Sequence, residues 1–164
     1  MPEIEIPTSV ESYDGPLSIE LPPHANPEEC HHRIDLAFDG SYQNQSDIAA
    51  VGYVLKHPSG DIIERDNTAA PDAHSITETE ATACLTAVQA ARKYTPECVR
   101  LQSDCKPVVD NLVNNPSPEV EDLYFQIMHL LQDIPSVLIK HVPRESNSEA
   151  HDEARTAFKR LKYG

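Results

Sequence analysis

The segment Ile34-Asp35-Leu36-Ala37-Phe38-Asp39 alternates without a break between large apolar residues and small or acidic ones. Strand side chains point to opposite faces in turn, so Ile34, Leu36 and Phe38 share one face and Asp35, Ala37 and Asp39 share the other. Such a strand needs a second layer over its apolar face, and it delivers an acid to its own end, at Asp39-Gly40. Ala49–Leu55 reads as a second strand, and His57-Pro-Ser-Gly-Asp61 as a turn into a third, Ile62–Asp66. From Thr79 to Lys93 the period changes to 3.6, with Ala83, Cys84, Ala87, Val88 and Ala91 forming a small-residue stripe suited to close packing on a sheet. Val99–Asp104 alternates again, Lys106-Pro107 opens a short helix, and residues 119–132 form an amphipathic helix. Val137–Val142 reads as a fifth strand, and a last helix runs from about Ser148 to Lys162. The order β-β-β-α-β-α-α-β-α predicts an α/β sandwich: three strands joined by hairpins, two more reached by crossovers, hence a mixed sheet.

The 164 residues suit one domain, and 39% hydrophobic content suffices for an aliphatic core. No apolar run is long enough to cross a bilayer, and the N-terminus lacks the basic and apolar regions of a secretory signal, so the expectation is a cytoplasmic protein with no membrane partner. In a reducing cytosol Cys30, Cys84, Cys98 and Cys105, without a C-x-x-C pair, are expected to stay thiols. Cys30-His31-His32 with His24 fits no standard zinc spacing.

Net charge is −14, and half of it lies in residues 1–30, which hold seven acids, six prolines and no Lys or Arg. We read residues 1–30 as an extended acidic arm with one short edge strand at Leu17–Leu21, and residues 31–164 as the domain. So acidic a chain repels polyanions at long range, which excludes a general nucleic-acid coat protein but not an enzyme that grips nucleic acid locally through metal ions. The acidity also suits a salt-rich, haloarchaeal-type cytoplasm.

Three acids stand out by position: Asp39 and Asp104 end strands, and Glu80 lies in the first turn of the long helix. If the fourth strand pairs parallel with the first, both aspartates reach the carboxyl edge where ligands of α/β sheets collect. Clustered carboxylates favour oxygen-seeking Mg²⁺ or Mn²⁺, and two such ions suit in-line phosphoryl displacement. Each acid also has a plainer reading: Asp39-Gly40-Ser41 as a turn, Thr77-x-x-Glu80 as a capping box, and Asp104 as the cap of the next helix.

Ile34-Asp-Leu-Ala-Phe-Asp-Gly-Ser41, Gly52-Tyr-Val-Leu55, Thr77-Glu-Thr-Glu80, Leu101-Gln-Ser-Asp104 and His141-Val-Pro-Arg-Glu-Ser-Asn-Ser-Glu-Ala150, in this order and spacing, resemble ribonuclease H type 1 over about residues 33–160. The resemblance implies a ribonuclease H-like fold, a five-stranded mixed sheet flanked by helices. It further implies a two-metal nuclease, using Mg²⁺ or Mn²⁺, that cuts the RNA strand of an RNA–DNA hybrid and leaves 5′-phosphate and 3′-hydroxyl ends. By the same resemblance Asp39 bridges both ions, Glu80 and Asp104 hold the ion nearer the leaving group, and Glu80 sits close to a 2′-hydroxyl. Gly40, Ser41, Asn44 and Thr77 are the candidate substrate contacts.

The pattern departs from the family at the end. Where Asn-x-x-Ala is normally followed by Asp, Asn147-Ser-Glu-Ala150 is followed by His151, with Asp152 one residue later. Neighbouring helical positions differ by about 100°, so the two cannot share one location. His151 is preferred as catalytic and metal-binding residue, with a shift toward Mn²⁺, and Asp152 is the second metal candidate or a helix-start charge. The loop Tyr42–Asp47 replaces a glycine-rich stretch, with Gln43 and Asn44 as amide donors or plain turn residues. Arg155, Lys159 and Lys162 fall at i, i+4 and i+7 on the last helix, as a DNA contact or as partners of the helix dipole. His141 reads as a packed or edge histidine. The competing readings are a weakly cleaving binder of this fold, because of His151, and a nuclease for other nucleic-acid structures; oligomeric state carries no sequence signal.

Overall fold

The computed structural model describes residues 30, 32–112 and 116–164, together with the backbone of 18–21 and 113. All five expected strands are present. They are β2 (Arg33–Gln43), β3 (Ile48–Lys56), β4 (Ile62–Ala69), β5 (Cys98–Ser103) and β6 (Ser136–His141). The alternating stretch of the arm adds β1 (Ser18–Leu21), giving a six-stranded sheet in the order β1-β6-β5-β2-β3-β4. β2, β3 and β4 pair antiparallel, β2-β5 and β5-β6 pair parallel, and β1 runs antiparallel to β6 with Ser18 opposite Lys140. Residues 1–17 and 22–29 of the arm, with His24, lie outside the described residues, as does His31.

The helices are α1 (Ile76–Arg92), α2 (Lys106–Val113), α3 (Glu121–Leu131) and α4 (Ser148–Tyr163). Ile34, Leu36 and Phe38 are fully buried in one cluster with the α1 stripe Ala83, Cys84, Ala87, Val88 and Ala91 and with Tyr124, Ile127 and Leu131 of α3. α4 packs on β2, β3 and β4 through buried Ala150, Ala154 and Ala157. Glycine at 52 permits this approach, since a β-carbon there would sit 2.3 Å from the Ala154 backbone nitrogen.

Three local expectations change. β2 does not stop at Asp39 but continues to Gln43, because β3 still offers a partner: Asp39 faces Gly52 and Gln43 faces Ile48. The helix cap is Ser75, not Thr77. Ser75 Oγ accepts from Glu78 N at 3.0 Å and donates to Glu78 Oε1 at 3.3 Å, which caps the helix about half a turn earlier and leaves Glu80 without a capping role. Cys30 and Cys98 form a disulfide, against the expectation of four thiols. The parallel pairing of β2 and β5 sets Arg33 opposite Cys98, which draws Cys30, three residues upstream, to a Cα separation of 6.1 Å. With its sulfur in the disulfide, Cys30 is also removed from any zinc site.

Candidate active site

The parallel β2-β5 ladder ends at the Ala37–Gln102 pair. Beyond it, β5 stops at Ser103 and releases Asp104, while β2 carries on against β3 alone and presents Asp39. The divergence opens the sheet at its carboxyl edge, and α1 and α4 each insert a residue there. Gly40 lies tight against α1, for a β-carbon would meet Thr79 Cγ2 at 2.8 Å, and its N–H donates to Glu80 Oε1 at 3.3 Å. From α4, His151 Nδ1 meets Asp39 Oδ2 at 2.8 Å.

Asp39 and Glu80 are each 5% exposed, so the charges of this group are largely withdrawn from water. Burial first, then the charge of Asp39, a hydrogen bond with Asp39 and the charge of Asp104 push the Glu80 carboxyl up to about 9. Asp104 is also raised, by burial and then by Asp39, against the opposing effects of Asn147 and Arg144. Glu80 Oε2 is buried and no donor reaches it. Its near neighbour is Asp39, another acceptor, so the pair needs a shared proton or a cation.

The donor set suits a divalent cation in kind: three carboxylates and one imidazole, with an orphaned oxygen among them. Among the described residues no three His, Cys, Asp or Glu side chains form a closed cage.

The structure thus brings Asp39, Glu80, Asp104 and His151 to one edge. Asp152 is exposed on α4, where its field acts on Arg65 rather than on the acid cluster. Ser41 is half-buried opposite Ala50, and Thr77 is half-buried in the first turn of α1. Asn44 is exposed in the β2–β3 turn, where its carbonyl accepts from Asp47 N at 3.3 Å. That turn is not merely solvated. Tyr42 Oη donates to Asp47 Oδ1 at 3.1 Å and to the His74 carbonyl at 2.9 Å, and His74 Nδ1 meets Asp47 Oδ2 at 2.8 Å, latching the turn to the entrance of α1.

Two site neighbours escape a reading of the sequence by itself. His141 ends β6 opposite Ser103, and its Nε2 lies 3.2 Å from the Asp104 carbonyl. Asn147, 1% exposed, donates from Nδ2 to the Phe38 carbonyl at 2.9 Å and so ties the start of α4 to the residue before Asp39. The signal for His141 was its place at the end of a strand parallel to β5; for Asn147 there was none beyond the family resemblance. A cavity of about 150 Å³, lined by Asp35, Lys56, Gln102, Asn147 and Glu149 among others, lies beside this edge and includes none of the four clustered side chains.

A mixed sheet of this order, with acids at the carboxyl edge of its parallel strands, defines an α/β domain of the ribonuclease H-like class. The family model described as reverse transcriptase-like matches residues 37–157, and the chain belongs to that family as a member of its ribonuclease H type 1 branch. Ribonuclease H1 from the halophilic archaeon Halobacterium salinarum is similar at 26% identity and a TM-score of 0.72, over 78% of this chain and 98% of that one. The N-terminal ribonuclease H domain of a Mycobacterium tuberculosis protein is similar at 20% identity and a TM-score of 0.72, over 80% of this chain and 96% of that one. LC11-RNase H1, isolated from compost by a metagenomic approach and solved with an RNA/DNA hybrid, has 17% identity and a TM-score of 0.71, over 79% of this chain and 99% of that one. No curated protein matches the sequence. Among the described residues no helix is long and apolar enough to cross a membrane.

Proposed function

We propose that this chain is an endoribonuclease that hydrolyses the RNA strand of RNA–DNA hybrids with two bound Mg²⁺ or Mn²⁺ ions. The observation that carries this reading is the under-satisfied acid cluster: Glu80 has an orphaned buried oxygen and a carboxyl pushed up to about 9, beside Asp39 at the edge where β2 and β5 part. A cluster kept at this cost within a folded domain is suited to receive positive charge. Divalent ions held by Asp39, Glu80, Asp104 and His151 would supply charge neutralisation and Lewis-acid stabilisation at the phosphodiester.

The chain's own residues do the rest. β2 and β5 set Asp39 and Asp104 on rigid backbone, and α1 brings Glu80 to them through the gap left by Gly40. Asp39 orients the His151 imidazole by accepting or sharing the Nδ1 proton, which leaves Nε2 to turn toward an ion or a substrate oxygen. Glu80, at the same edge, would meet a ribose 2′-hydroxyl, the group that marks an RNA strand, as the family resemblance implies. The Tyr42–Asp47–His74 latch holds the turn that carries Gln43 and Asn44 above α1, where their amides can meet phosphate or sugar. Support for the hybrid as substrate comes from the family and from the hybrid-bound LC11-RNase H1.

The test is cleavage of a labelled RNA–DNA hybrid beside duplex RNA and duplex DNA, with Mg²⁺ or Mn²⁺, at low and at molar salt, for the native chain and Asp39→Asn. Hybrid-only cleavage, lost in the variant with the fold retained, is expected. Binding without cleavage under every condition would instead favour a hybrid-binding module, the reading that His151 in place of a carboxylate supports. Cleavage of another substrate would reassign the nuclease.

A further inference from the structure

α4 distributes its charges unequally around its axis. Taking His151 as zero and about 100° per residue, Ala150, Ala154 and Ala157 fall near −100°, −60° and −120° and face the sheet. Glu149, Glu153 and Arg160 fall at about 160–200° and are all engaged. Glu149 pairs with Lys56, Glu153 accepts from Arg65 at 2.6 Å and Asn67 at 2.9 Å, and Arg160 donates to Asn67 at 2.8 Å. Arg155, Lys159 and Lys162 fall at about 40°, 80° and 20°, on the same side of the helix as His151, with the exposed Asp152 at about 100° on the margin of the stripe. All three are exposed, and none is ion-paired among the described residues.

The chain as a whole carries a net charge of −14. Of the ten other Lys and Arg residues, Arg33, Lys56, Arg65, Arg92 and Lys93 are each paired with a carboxylate in the fold, and what distinguishes Arg155, Lys159 and Lys162 is that they share one helix face on the side of His151. The helix dipole accounts for Lys162 in the last turn but not for Arg155, since its effect falls off within that turn and Arg155 lies two turns before the end at Tyr163. The stripe starts beside the acid cluster and extends about 16 Å from it, the axial length of roughly five base-pair steps. Phe158 and Tyr163 flank it, with Lys162 Nζ 6.0 and 5.5 Å from their ring centres.

We propose that Arg155, Lys159 and Lys162 form a track for the phosphate backbone of the nucleic-acid strand that leaves the active site along α4. This deepens the function proposed above and rests on it. The acidic edge repels a nucleic acid until cations are bound there, so a cationic strip outside the edge supplies the grip that the acidic arm and the base-poor segment after Lys106 lack. The contacts are to phosphate, so they add affinity for any sequence and weaken with salt.

The test measures binding of an 18-base-pair RNA–DNA hybrid by fluorescence anisotropy in Mg²⁺ between 50 and 300 mM salt, with Asp39→Asn in every protein so that the hybrid stays intact. Arg155→Gln/Lys159→Gln/Lys162→Gln is expected to weaken binding at least about tenfold at the lowest salt. It should also reduce the slope of log K against log salt by about two to three, because up to three phosphate contacts are lost. Arg155→Lys/Lys159→Arg/Lys162→Arg should bind like the parent, which separates charge from packing. An unchanged slope in the neutralised protein, folded by circular dichroism, overturns the track while leaving the active-site reading standing. A parent that binds no hybrid at all overturns both.

Discussion

Glu64 and Glu80 are glutamates of the same sheet-and-helix layer with opposite fates. Burial disfavours the ionised form of Glu64, but its oxygens accept from Tyr53 Oη at 2.5 Å, Tyr94 Oη at 2.7 Å and Lys93 Nζ at 2.9 Å, and its carboxyl is held down to about 2. Glu80 has one backbone N–H at 3.3 Å and two acidic neighbours, and burial pushes it up to about 9. At Glu64 both oxygens are answered within the protein, so the residue joins β4 to the end of α1 and its work is structural. At Glu80 the protein leaves the answer to something outside itself. That difference in satisfaction, more than the presence of acids, separates the candidate site from the other carboxylates of an acidic chain.

The comparison can be broken most severely at Asp39. Asp39→Asn is expected to lower hybrid cleavage by at least about a hundredfold, a loss typical of removing one preorganised electrostatic group. Its thermal melt without metal should stay at or above that of the native chain, since a repulsive charge is gone. A parallel loss of fold and activity would make Asp39 structural, like Glu64.

Glu64→Gln should cost about 2–3 kcal/mol at pH 7, because charge-assisted hydrogen bonds are replaced by weaker ones. A carboxyl held below its unfolded value stabilises the fold above pH about 4.5, and that contribution is lost as pH falls toward about 2. Denaturant melts should therefore show the gap between native and variant closing over this acid window.

Glu80→Gln is expected to do the reverse. A carboxyl raised in the folded state favours folding most below about 4.5, and the advantage is lost progressively as pH rises toward about 9. In chelator the variant should become more stable than the native chain by on the order of 2 kcal/mol at neutral pH and above. Added Mg²⁺ should raise the melting temperature of the native protein more than that of the variant. If chelator and Mg²⁺ give the same melt in the native chain, the cluster binds no ion under those conditions.

The smallest expected effect sharpens the contrast further. His151→Asp adds a carboxylate beside Asp39, so the metal-free protein should melt lower and gain more from added Mg²⁺. Cleavage in Mg²⁺ relative to Mn²⁺ should rise about tenfold, the scale of retuning a ligand shell. An unchanged metal ratio would show that His151 acts on Asp39 alone.

Much of this was legible in one dimension because it depends on local periodicity. The alternation of Ile34 to Asp39 and of Val99 to Asp104 located two strands and the faces of their side chains, and the Ala-rich stripe after Thr79 located α1. Local patterns also misled: Thr77-x-x-Glu80 fits a capping box, but the first helical turn starts earlier and Ser75 caps it. The end of β2 was misplaced because Asp39-Gly40 is turn-like in isolation, whereas the cross-strand partner Gly52 extends the ladder past it.

By itself the sequence determined the order of the elements and the three acids, which follow from neighbours in the chain, where spacing and side-chain chemistry carry the information; that His151 stands where an aspartate is expected follows from the resemblance to ribonuclease H type 1. Tertiary structure decided which of His151 and Asp152 meets Asp39, that His141 and Asn147 join the edge, that Cys30 bonds to Cys98 across 68 residues, and that β1 seals the far side of β6. It also decided that Glu80 is left short of a donor while Glu64 is not. The reason is that burial and hydrogen-bond satisfaction depend on segments far apart in sequence, which only the assembled sheet and its helices bring within a few ångströms.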